Sequence, residues 1–278
     1  MSAQDFNILF VIWRESVEAL LIIGILSAWI GRRSDVERNT GRLWLWSGVG
    51  VGLLAAGALS AVLLTVGDML DEEAQEYFQT FIVLAASGLI VQMVFWMRAN
   101  ARTLKADLHA SLDRAAAKAN WFGVFILAAI AVLREGSEAA VFLYGTMATV
   151  SADTLSAVLA AGLGILAAIA SYGLLQLGSK VLSWRTFFRI TEVMLLFLAA
   201  ALLISGLDHL ISLGVVPPLS SRIWDTSAFL SDSSVTGRFV GGLTGYRARP
   251  DLIQVLVFAG YWLAIIAAMY RPRKVAPA

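Results

Sequence analysis

Apolar runs of about 20 residues or more, broken by short polar stretches, dominate this chain, and runs of that length predict membrane-spanning helices. Seven are found, over residues 6–31, 43–67, 77–97, 121–150, 155–177, 187–213 and 252–270. Pro217 and Pro218 end the sixth and Pro272 stops the seventh, because proline has no amide with which to continue a helix. The second run carries Gly48, Gly52, Ala56 and Ser60 at helical spacing, and the fifth carries Gly164 and Ala168. Faces of small residues let two helix backbones approach closely, which makes helix packing their expected role. The predicted class is all-α: a polytopic membrane protein of seven transmembrane helices, folded as a single domain over residues 1–278.

Composition narrows the chemistry. Hydrophobic residues make up 59% of the chain and charged residues only 15%, against about a quarter charged in an ordinary soluble domain. There is no cysteine, which excludes disulfides, thiolate metal sites and a cysteine nucleophile. Two histidines, His109 and His209, are too few for an imidazole-rich zinc or copper site or for paired carboxylate–histidine di-iron motifs. The net charge is +1 and the charges are segregated by loop, so no nucleic-acid partner is expected. The N-terminus, Met-Ser-Ala-Gln-Asp, has no basic segment, and the first apolar run is too long for a signal-peptide core; it is expected to be retained.

Loop charge predicts orientation. Arg32, Arg33, Arg38 and Arg42 follow the first run, and Arg98, Arg102, Lys105, Arg114 and Lys118 follow the third. Lys180, Arg185 and Arg189 flank the fifth-to-sixth turn, and Arg271, Arg273 and Lys274 follow the seventh. The intervening loops are acidic, with Asp68, Asp71, Glu72, Glu73 and Glu76 after the second run and Asp153 after the fourth. The N-terminus is therefore expected outside and the C-terminus in the cytoplasm of a cell membrane, the bacterial inner membrane in a bacterium. The long outer loop at about 214–250 departs from the trend, with Arg222, Arg238, Arg247 and Arg249 beside Asp225, Asp232 and Asp251.

Two of the apolar runs are interrupted in the same way. Arg14-Glu15-Ser16-Val17-Glu18 and Arg134-Glu135-Gly136-Ser137-Glu138 lie 120 residues apart, and the likeness extends to W-R-E-S-V-E-A-L against L-R-E-G-S-E-A-A. Each such charge costs roughly 2.5–3.5 kcal/mol at mid-membrane, so six uncompensated charges would cost on the order of 15–20 kcal/mol. With three runs per unit, the motif helices run in opposite directions. That predicts a 3+3 inverted repeat, residues about 1–110 and 115–215, with a final helix at about 251–271 appended.

On a helix, Arg14 and Glu18 are four residues apart and Glu15 and Glu18 three, so all share one face; Arg134, Glu135 and Glu138 repeat the arrangement. Two facing motifs would gather four carboxylates and two guanidiniums. Oxygen donors of this kind suit hard cations such as Fe³⁺, Mn²⁺, Mg²⁺ and Ca²⁺, and carboxylates alone do not separate these ions. One copy reads equally well as a structural salt-bridge cluster; duplication at equivalent positions favours a conducting site. Asp71, Glu72, Glu73 and Glu76 could capture cations at the outer mouth, or simply begin a helix, where acids suit the dipole. Glu192 is an exit ligand or, more simply, the partner of Arg185 or Arg189. Gln92, Tyr144, Asp208 and His209 are further polar residues in or near spans, with packing roles the simpler reading. No hydrolase or nucleotide-binding motif is present, so no enzyme is expected.

At the paired motifs the sequence resembles the ferric iron permease family, the oxidase-coupled high-affinity iron transporters of fungi and bacteria. Ser16 stands where that family usually has glycine. The segment from Trp224 to Pro250 also resembles the last outer loop of bacterial members. The resemblance implies metal-ligand roles for Glu15, Glu18, Glu135 and Glu138 and supporting roles for Arg14 and Arg134. It implies import of Fe³⁺, supplied as Fe²⁺ and oxidised outside the membrane by an oxidase or a periplasmic iron-binding partner, with iron as substrate and no permanently bound cofactor. A proton-coupled carrier for another hard divalent cation such as Mn²⁺ is the alternative.

Overall fold

The computed structural model describes residues 3–100, 121–148, 154–176, 184–220 and 222–270, and among them are eight helices and no strand. These are α1 (Ala3–Ile30), α2 (Asp35–Met69), α3 (Glu72–Asn100), α4 (Phe122–Ala148), α5 (Thr154–Gln176), α6 (Trp184–Ser212), α7 (Val235–Thr244) and α8 (Leu252–Tyr270). The seven long helices coincide with the seven apolar runs, and the short α7 lies in the segment read from sequence as an outer loop. Five helices, α2, α3, α5, α6 and α8, are long and apolar enough to cross a membrane. The other two long helices, α1 and α4, are those that carry the charged motifs. Arg102, Lys105, Arg114, Lys118, Asp153, Lys180, Pro272, Arg271, Arg273 and Lys274, used above for orientation and helix ends, lie outside the described residues.

The helices pair across the chain rather than along it. The main partner of α2 is α4, that of α5 is α1, and α3 packs lengthwise on α6. Small residues make these contacts close. A Cβ on Gly52 would stand 2.8 Å from the Ala129 carbonyl oxygen and 2.8 Å from Val132 Cβ. One on Gly164 would stand 2.8 Å from the Leu9 carbonyl oxygen and 3.1 Å from Ile12 Cβ. Leu9 and Ala129, like Ile12 and Val132, are separated by the same 120 residues as the motifs, while Gly52 and Gly164 are 112 apart. Where α3 meets α6, the Ser87 hydroxyl donates to the Ala199 carbonyl at 2.8 Å, and those two residues are again 112 apart. The centre of the bundle is apolar, with Phe10, Val83, Ile90, Phe142, Leu195 and Ala199 buried together. Outward-facing leucines and isoleucines such as Leu54, Leu159 and Leu263 are well exposed, as residues facing lipid would be.

Two of the four arginines that broke the charge rule, Arg247 and Arg249, have acidic partners nearby. Arg247 donates to Asp208 near the end of α6 at 2.7 and 3.1 Å, and Gln254 of α8 donates to the other oxygen of that carboxylate at 2.5 Å. Arg249 pairs with Asp225 at 3.0 Å. The Ser227 hydroxyl and amide, joined by Arg249, hold the Asp225 carboxyl down at about 2, so it is ionised at neutral pH. Asp232 accepts the Ala248 amide at 3.0 Å. Ser234 caps α7 by accepting from the Gly237 amide at 2.9 Å. Gly245 ends it with φ +77, beside Ala200 of α6. Asn7 of α1 donates to the Gly242 carbonyl at 3.0 Å, and Phe6 meets Phe239 with ring centres 5.5 Å apart. The loop is thus seated on the start of α1 and the end of α6. Replacing Asp208 by Ala is expected to cost about 1 kcal/mol, as for a partly exposed ion pair, and to raise protease cleavage within residues 222–250 while helical content stays unchanged.

Candidate metal site

On α1, helical geometry places Arg14 against both acids of its own motif: its guanidinium donates to Glu15 at 2.9 Å and pairs with Glu18 one turn on. On α4, Arg134 Nε lies 3.1 Å from Glu138 and 4.0 Å from Glu135. Because α1 and α4 pack directly on each other, the two faces meet. Carboxylate oxygens of Glu15, Glu18 and Glu135 all lie within 4.8 Å of one another, and all three residues are buried. Glu138, expected as a fourth member, falls outside that group; its carboxylate is engaged by Arg134. Buried oxygens of Glu15, Glu135 and Glu138 have no hydrogen-bond partner among the described residues. Four acids and two arginines leave two negative charges when all are ionised, and unpartnered carboxylate oxygens in so dry a place are the donor set a hard cation requires.

The two arginines differ although their motifs match. Arg14 is 1% exposed, and Met93 and Met97 of α3 place their sulfur atoms 2.8 Å from its guanidinium. The Arg134 side chain is 35% exposed and lies over the ring of Trp96 at 4.1 Å. One stretch of α3 therefore holds both guanidiniums. Met93, Trp96 and Met97 escaped the sequence reading; their signal was positions three and four apart on a helix already counted as apolar.

The remaining polar residues lie elsewhere. Asp71, Glu72, Glu73 and Glu76 are exposed at the start of α3, where Asp71 caps the helix by accepting the Ala74 amide at 2.8 Å. Glu192 pairs with Arg98 of α3 at 2.8 Å, because α3 lies alongside α6 and presents Arg98 across the gap. The Arg189 charge acts on it from a greater distance, and the side chain of Arg185, the other expected partner, lies outside the described residues. Tyr144 meets Phe78 edge to face with ring centres 5.7 Å apart and brings its hydroxyl to Gly67, just before the C-terminal end of α2. Asp208 serves the loop clamp, and Gln92 is exposed.

The model of the iron permease FTR1 family matches residues 5–271. A ferrous iron permease EfeU of Escherichia coli O6:H1 is 31% identical over 275 residues, covering 96% of each chain. Proteins of the same name from Shigella sonnei and Yersinia pestis are 30% and 28% identical, over 95% of this chain and 95% and 93% of theirs. No solved structure matches this chain.

Proposed function

The chain belongs to the iron permease FTR1 family, and from that premise we propose that it imports iron through the acids gathered between α1 and α4. The observation that carries the proposal is the convergence of Glu15, Glu18 and Glu135, from two helices, to within 4.8 Å. Glu138 completes the set from beside Arg134. Arg14 and Arg134 offset part of the negative charge while the site is empty of cargo and orient the carboxylates toward it. In this reading α1 and α4 also cross the membrane, giving seven spans with the N-terminus outside and the C-terminus in the cytoplasm. Helices α1–α3 and α4–α6 are two inverted units. Reciprocal contacts support this: Gly52 against Ala129 and Val132, and Gly164 against Leu9 and Ile12.

The relatives are called ferrous iron permeases, whereas an all-oxygen donor set suits the harder ferric ion. Both hold if iron arrives as Fe²⁺ and an extracytoplasmic oxidase or periplasmic iron-binding partner presents it as Fe³⁺. This chain, with no cysteine and two histidines, then serves as the permease alone. A membrane potential favours inward movement by about 2.3 kcal/mol per charge per 100 mV.

Removing one charged ligand is worth about 1.5–3 kcal/mol, or roughly 10- to 150-fold. Glu15→Gln, Glu18→Gln and Glu135→Gln are each expected to lower radiolabelled iron uptake at least tenfold at unchanged membrane abundance. The measurement is made in cells supplied with Fe²⁺, with and without an external oxidase. Full uptake in all the variants would remove the carboxylate mechanism, and uptake of Mn²⁺ in preference to iron would select the divalent carrier instead.

A further inference from the structure

Gly88, Gln92 and Trp96, each four residues from the next, line one exposed face of α3. A Cβ on Gly88 would meet nothing within 4 Å. The Gln92 side chain is exposed and has no hydrogen-bond partner among the described residues. Trp96 is 39% exposed and carries the partly exposed guanidinium of Arg134 over its ring. Gln92 lies within the apolar span Glu72–Ala99, about 10 Å from its end at a rise of about 1.5 Å per residue. Acyl chains offer an amide neither donor nor acceptor, so a bare glutamine at that depth is costly.

The other half of the chain has an equivalent face, and there it is covered. The 112-residue offset that relates Ser87 to Ala199 carries Gly88, Gln92 and Trp96 onto Ala200, Ile204 and Asp208 of α6. Ala200 and Ile204 are 0% and 1% exposed. Gly245, at the end of α7, sits against the Ala200 carbonyl, and Asp208 is held by Arg247 and by Gln254 of α8. One turn before Ala200, Tyr261 of α8 donates to the Leu196 carbonyl at 2.7 Å. The outer loop and the final helix thus cover α6, while the matching face of α3 is bare. We propose that a second copy of this chain covers it, in a two-fold dimer with its axis along the membrane normal and α3 against α3. A primary amide both donates and accepts, so it is its own complement. Across a two-fold axis the two Gln92 side chains lie at the same depth and exchange hydrogen bonds reciprocally. Gly88, one turn away, lets the backbones approach closely. Trp96, one turn to the other side, brings the open edge of Arg134 under the second copy, so association also shields that arginine of the metal site from lipid.

The chain has no cysteine, so Gly88→Cys introduces its only thiol. Oxidation in native membranes is expected to give a disulfide-linked species of twice the chain mass. Leu54→Cys, Leu159→Cys and Leu263→Cys, exposed on other helices, are expected to give none. The wild-type chain in detergent, weighed as a function of concentration, is expected to form a dimer. Gln92→Leu and Gly88→Val each raise its dissociation constant about tenfold or more, with helical content unchanged, since Gly88 has open space before it and Gln92 bonds to nothing in its own chain. Absence of the cross-link, an adduct of any other mass, or equal cross-linking at all four positions overturns the dimer. So does association of either variant as tight as that of wild type. Labelling of Gly88→Cys by a water-soluble thiol reagent, without cross-linking, overturns it in favour of a water-filled crevice. None of these readouts involves iron, so the dimer and the permease reading stand or fall separately.

Discussion

Methionine in place of Arg14 is expected to leave little folded protein in the membrane, whereas the same change at Arg134 leaves a folded chain. Arg14 is almost fully buried and is the counter-ion shared by Glu15 and Glu18. Removing it strands two carboxylates where water cannot reach them, and breaking a buried pair by deleting one partner costs about 3–5 kcal/mol. That is a large part of the roughly 5–15 kcal/mol by which a protein is stable. Arg134 is partly exposed, meets Glu138 at 3.1 Å, and rests on Trp96. Its loss removes a partly solvated ion pair and a cation–π contact, each about 1 kcal/mol. Thermal unfolding of the detergent-solubilised variants, together with their abundance in membranes, checks the ordering. Equal destabilisation by the two changes would contradict the asymmetric roles given to the arginines.

Valine at Gly52 or Gly164 is expected to abolish uptake without touching an acid. At Gly52 even the first added carbon meets the Ala129 carbonyl and Val132 at 2.8 Å, and at Gly164 it meets the Leu9 carbonyl at 2.8 Å. Backbone cannot yield as a flexible side chain can, so α2 must move off α4, or α5 off α1. Overpacking of this kind costs about 1–3 kcal/mol. The larger consequence is geometric, since α4 carries Glu135 and α1 carries Glu15 and Glu18. A shift of about 1 Å at a preorganised site is enough to lose on the order of a hundredfold in activity. Gly50 and Gly57 lie on the same helix as Gly52 with nothing within 4 Å, so valine there is expected to leave uptake within about twofold, a change under about 0.5 kcal/mol. Loss of uptake in all four valine variants would point to helix propensity rather than close contact as the cause.

These two expectations were legible in the sequence to different degrees. The small-residue faces were: Gly48, Gly52 and Ala56 are buried on α2, as is Ala168 on α5, and Gly164 meets the α1 backbone. Regular spacing on an apolar helix announces close contact whatever the partner. The duplicated motif was also legible, because charge inside a long apolar run is costly and its repetition cannot be local accident. The difference between Arg14 and Arg134 was not. The two motifs present the same charges, and only α3, which puts Met93 and Met97 against one and Trp96 against the other, makes one arginine buried and the other half open. Glu192 shows the same limit: its sequence neighbour Arg189 was the natural guess, and a residue from a helix far away in the chain proved to be the partner. Of the arginines that violated the charge rule, Arg247 and Arg249 were explained only when Asp208 and Asp225 were found across from them.

Sequence by itself determined which segments are helices, which helices carry the acids, and which faces come close, since each follows from periodicity and from the cost of charge in an apolar run. Tertiary structure alone decided which three acids converge, which arginine is sealed in, and where Arg98 finds its acid. Those outcomes depend on how α1, α3, α4 and α6 are set against one another. That placement comes from summing many contacts between residues distant in the chain, and no local pattern records it.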